Sequence, residues 1–104
     1  MIDVLRSDLR AALGRRDRRE IAVLRMLIGV VGNAEAQLDT GAQPTVGLGN
    51  EVDRRQLSTD EIRGVLETEH QAFIDAAKEY DGVERSDHAD ELRARASIVE
   101  RYLG

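Results

Sequence analysis

Apolar residues fall at spacings of three and four along almost the whole chain, the signature of amphipathic helices. In the first segment Ile2, Leu5, Leu9, Ala12 and Leu13 share one helical face, and Gly14 is the expected stop. A second stripe holds Ile21, Leu24, Leu27, Ile28, Val31 and Leu38, widened by Val23, Met26 and Val30. So broad an apolar surface predicts a central helix touching several neighbours. Gly29 and Gly32 lower helix propensity there, which predicts the close approach of another helix.

The periodicity then dissolves over residues 39–58, which carry Pro44, the one proline, and three glycines. A connection this long in a small domain is expected to be mobile or functional. Ser58 followed by Glu61 is a capping-box pair and opens a third helix. Ile62, Val65, Leu66, Phe73, Ala76, Ala77 and Tyr80 lie within one arc of it, and Gly82 is the expected left-handed cap. Ala89, Leu92, Ala96, Val99 and Leu103 make a fourth stripe, flanked by Ile98 and Tyr102. No strand-like alternation and no internal repeat interrupts this pattern. The expectation is one all-α, four-helix bundle-like domain over 1–104, with helices at about 2–14, 17–38, 59–81 and 84–103 and a long loop at 39–58.

Composition narrows the functional classes. The 104 residues contain three aromatics, Phe73, Tyr80 and Tyr102, too few for a base-stacking platform. Cysteine is absent, which removes disulfides, thiolate nucleophiles and cysteine metal sites together. The N-terminus has no apolar signal core, and no stretch approaches a membrane-spanning length, so a cytoplasmic protein without membrane contact is expected. The net charge of −5 is unevenly spread. Residues 1–38 hold seven arginines against five acids, whereas residues 39–104 hold eight basic residues against fifteen acids.

Few constellations suggest chemistry. Glu67 and His70 form one E-x-x-H, but a di-iron bundle site needs a second copy and two further glutamates, and His88 with Glu91 offers only H-x-x-E. Gly47-Leu48-Gly49-Asn50 lacks the flanking elements of a phosphate loop. No metal and no cofactor is expected. Glu69 falls near the centre of the third helix's apolar face, where a carboxylate needs a partner; Arg25, at the margin of the second stripe, is the expected one. A catalytic carboxylate at Glu69 would need a nucleophile or second base that does not accompany it. The run Arg15-Arg16-Asp17-Arg18-Arg19 reads either as a phosphate grip or as a solvated turn between helices.

Several segments taken in order resemble the GatB/YqeY family. Leu24-Arg25-Met26-Leu27, then Gly32-Asn33-Ala34-Glu35, then Leu57-Ser58-Thr59-Asp60-Glu61-Ile62 are similar to its LRML, NAE and LSDEE run. Glu69 stands where that family has a Lys-Glu pair, Tyr80-Asp81-Gly82 resembles its turn after the third helix, and Ile98 to Leu103 resembles its ILEEYLP segment. The resemblance covers nearly the whole chain apart from the loop.

It implies a helical accessory module, related to the tail of the amidotransferase B subunit that helps convert misacylated Glu-tRNA or Asp-tRNA. The partner so implied is tRNA or an amidotransferase-type protein, and a link to carbon–nitrogen ligase activity with glutamine as amido donor comes through that partner. No residues for such a reaction are legible in this chain. Fuller YqeY-like chains continue into a second small helical domain and have a shorter loop, so this chain is read as a short, single-domain variant. Two functional expectations follow: an RNA-associated accessory that meets phosphate with Arg15, Arg16, Arg18 and Arg19, or a protein-interaction or self-associating helical module that binds no RNA.

Overall fold

The computed structural model describes residues 1–41 and 57–104. They form four α-helices in the order α1 (Ile2–Arg15), α2 (Arg18–Gly41), α3 (Thr59–Gly82) and α4 (Ser86–Glu100), with no strand among the described residues. The all-α, four-helix expectation therefore holds. The loop expected at 39–58 falls mostly on residues outside that description, and α2 continues three residues beyond the expected end at Leu38.

α1 pairs with α2 and α3 pairs with α4, giving two helical hairpins that meet where α2 touches both α4 and α3. α2 is thus the central helix, as its wide apolar stripe requires. Leu5 and Ala12 of α1, Val23, Leu24, Leu27 and Val31 of α2, Ile62 and Leu66 of α3, and Val99 of α4 form the buried core. Ala77, Ala89 and Ala96 are the buried small residues of the α3–α4 hairpin.

Both hairpin turns are Schellman motifs whose left-handed residue is not glycine. Arg16 adopts the left-handed region at φ 58°, its N–H donating to the Leu13 carbonyl at 3.2 Å while Asp17 N–H donates to Ala12 at 3.1 Å. Gly14, the expected stop, stays inside α1. At the second turn Glu84 has φ 59°, Glu84 N–H donates to Asp81 at 3.2 Å and Arg85 N–H to Tyr80 at 2.8 Å. The left-handed residue is therefore Glu84 and not Gly82, because α3 runs through Gly82 before the chain reverses. This turn consumes residues 83–85, so α4 begins at Ser86 instead of 84, and residues 101–103 form a closing turn.

Two helix starts carry side-chain caps, whereas those of α1 and α4 do not. Ser58 accepts from Glu61 N–H at 3.1 Å while the Glu61 carboxylate accepts from Ser58 N–H at 3.1 Å, the reciprocal box expected from the sequence. Asp17 makes one half of such a box at α2, its carboxylate accepting from Glu20 N–H at 3.1 Å. Gly29 and Gly32 do not mark a helix contact: both are exposed, and a methyl group placed on either would meet nothing within 4 Å.

Candidate anion-binding surface

The arginine run lies where α1 reverses into α2, and its members divide into two kinds. Arg15 and Arg19 are committed to ion pairs within the molecule. Arg15 binds the Glu20 carboxylate, which also accepts from Arg101 Nη2 at 2.6 Å. Glu20 is only 6% exposed, so this charge is tolerated because two guanidinium groups answer it. The Arg101 hydrogen bond, seconded by Arg15, holds its carboxyl below the usual carboxylate range despite burial, which acts the other way.

Arg19 grips Glu91 of α4 with both arms of its fork, at 2.8 and 2.7 Å, and Arg95 reaches the same carboxylate at 3.1 Å. Glu91 is accordingly pushed down to about 2, mainly by the Arg19 hydrogen bond. Nearby, the Tyr102 hydroxyl donates to Asp8 of α1 at 2.5 Å, and burial together with this contact raises the phenol above its ordinary value. These contacts tie the start of α2 to α4 and to the turn that closes it, and the middle of α1 to that same turn.

Arg16 and Arg18 are exposed and have no acidic partner among the described residues. Arg6, Arg10 and Arg25 share this state. By contrast, the described arginines of the second hairpin and its closing turn are all answered by acids: Arg63 by Glu67, Arg85 by Asp87, Arg93 by Asp81 and Asp90, Arg95 by Glu91 and Arg101 by Glu20. Four of the five acids in residues 1–38 are engaged, Asp8 by Tyr102, Asp17 by Glu20 N–H, Glu20 by its two arginines and Glu35 by Leu57 N–H at 3.1 Å. The described arginines without an acidic partner among the described residues therefore all lie on the α1–α2 hairpin, with the exposed Lys78 of α3 as a further such cation.

The other sequence candidates resolve differently. No ion pair joins Arg25 to Glu69: Arg25 lies on the same open side of α2 as Gly29, while Glu69 is half-buried on α3. Glu67 bonds Arg63 at 3.1 Å, His70 lies 3.5 Å from Glu100, and His88 stacks on Tyr80 at a ring separation of 5.0 Å. Among the described residues no group of three or more His, Asp or Glu could hold a metal ion. The Gly47–Asn50 segment lies outside the described residues.

An open groove of about 470 Å³ runs between α2 and α3, lined by Ala34, Gln37, Leu57, Glu61, Gly64, Val65 and Thr68. Among the described residues no helix is long and apolar enough to cross a membrane. Sequence reasoning named the arginine run but missed Arg6, Arg10 and Arg25 as free cations; the polar side of each amphipathic stripe was the signal that could have found them. No protein-family model, curated protein or solved structure matches the chain.

Proposed function

We propose that this chain is a non-catalytic helical binding module of the GatB/YqeY kind, a tRNA-associated accessory that meets RNA phosphate at the α1–α2 turn. One observation carries the reading: Arg16 and Arg18 stand exposed and unanswered at that turn, while Arg15 and Arg19 beside them are spent on Glu20 and Glu91. The segments similar to the family supply the link to tRNA and to an amidotransferase-type partner. Guanidinium forks match phosphate oxygens two at a time, so even a small set of free arginines gives an oriented contact. The cytoplasm, where charged tRNA is used, is the compartment this role requires.

Fluorescence anisotropy of labelled tRNA at stepped salt concentrations tests it. The protein should bind saturably and more weakly as salt rises, and Arg16→Gln with Arg18→Gln should reduce affinity whereas Arg63→Gln should not. Absence of binding at low salt would overturn the proposal. It would favour the competing protein-interaction reading, which draws on the apolar residues lining the α2–α3 groove.

A further inference from the structure

Resting on that reading, we infer that the contact is not confined to the turn: Arg6, Arg10, Arg16, Arg18 and Arg25 form one track along the α1–α2 hairpin, and what it fits is an extended phosphate backbone. Four residues separate Arg6 from Arg10, which places them about 40° apart around α1 and about 6 Å apart along it. That row lies away from Leu5, Leu9 and Ala12, which face the core. Seven residues separate Arg18 from Arg25, about 20° around α2 and about 10 Å along it. This second row lies away from Val23, Leu24, Leu27 and Val31.

Arg16 joins the rows at the bend. Its left-handed backbone, ordinarily left to glycine, costs roughly 1 kcal/mol for a side chain that makes no ion pair among the described residues. The rows are too far apart along the helices for a single phosphate or one acidic side chain to reach them all. A chain of phosphates satisfies them in series, and because Asp3, Asp8, Asp17 and Glu35 keep their charge on the same hairpin, the arginines act as separate contacts and not as one broad positive field.

The test uses a labelled single-stranded RNA long enough to span both rows, titrated at salt concentrations from about 50 to about 200 mM. Five phosphate contacts predict a loss of affinity of roughly 100-fold across that range. Arg6→Gln, Arg10→Gln and Arg25→Gln combined should leave the melting temperature unchanged and reduce the loss to roughly 7-fold. A wild-type protein that binds with salt dependence, but whose triple variant keeps the same affinity and slope, overturns the track and leaves the turn contact standing. A wild-type protein with no salt-dependent binding overturns both.

Discussion

At Glu20, burial and ionisation pull in opposite directions, and two arginines decide the balance. Its side chain is 8% exposed, whereas Arg15 and Arg101 remain about half exposed at 55% and 52%. The guanidinium groups can therefore return to water if the carboxylate is lost, which limits the cost of breaking the cluster. Glu20→Gln should lower stability by about 1–2 kcal/mol in urea denaturation. The pH dependence has a fixed sign, because the carboxyls of Glu20 and Glu91 are both lowered on folding from 4.5, Glu91 to about 2. Their contribution is complete above about pH 4.5 and is lost as pH falls below it, for Glu91 through about 2. A melting series should show the transition falling through that interval, with a shallower fall in Glu20→Gln; parallel curves would contradict the assignment.

The two left-handed residues make a second prediction at this scale. Glycine takes φ near 60° without the Cβ conflict that Arg16 and Glu84 suffer, at the cost of a more flexible unfolded chain. Glu84→Gly should therefore raise stability by about 0.5–1 kcal/mol, measured as a higher midpoint in chemical denaturation. An unchanged or lower midpoint would show that the turn gains something from the native side chain.

Among the elements, α2 shows how far a sequence can be read and where it stops. Its apolar breadth identified it as the central helix, and Ser58 with Glu61 located the start of α3, because periodicity and capping are local properties. The tertiary meaning of Gly29 and Gly32 was not legible. A glycine lowers helix propensity equally whether it admits a neighbour or faces water, and here both face water. Gly29→Ala and Gly32→Ala should each stabilise the protein by about 0.5–1 kcal/mol, since the new methyl group meets nothing and the helix gains propensity. A loss of stability in thermal melts of either variant would mean that another surface does approach there. The same locality explains the misplaced cap: Gly82 satisfied the sequence rule, but the chain reverses two residues later.

Across the whole molecule, long-range ion pairs sort the arginines into structural and free. Arg19 meets Glu91 across 72 positions and Arg101 meets Glu20 across 81, separations at which sequence carries no pairing signal. That is why the run Arg15-Arg16-Asp17-Arg18-Arg19 read as one unit, although Arg19 ties the first hairpin to α4 and Arg15 is held by Glu20 within its own hairpin. Those pairs leave guanidinium groups without an acidic partner among the described residues on one hairpin, and the proposed phosphate contact rests on them.

Arg16 lets stability and binding be separated in one variant. Arg16→Gly, melted and titrated with labelled tRNA side by side, is the most direct measurement of the central claim. The account predicts a higher melting temperature together with weaker, less salt-dependent binding than wild type. Binding that is absent from the wild-type protein, or that survives undiminished in Arg16→Gly, would contradict it.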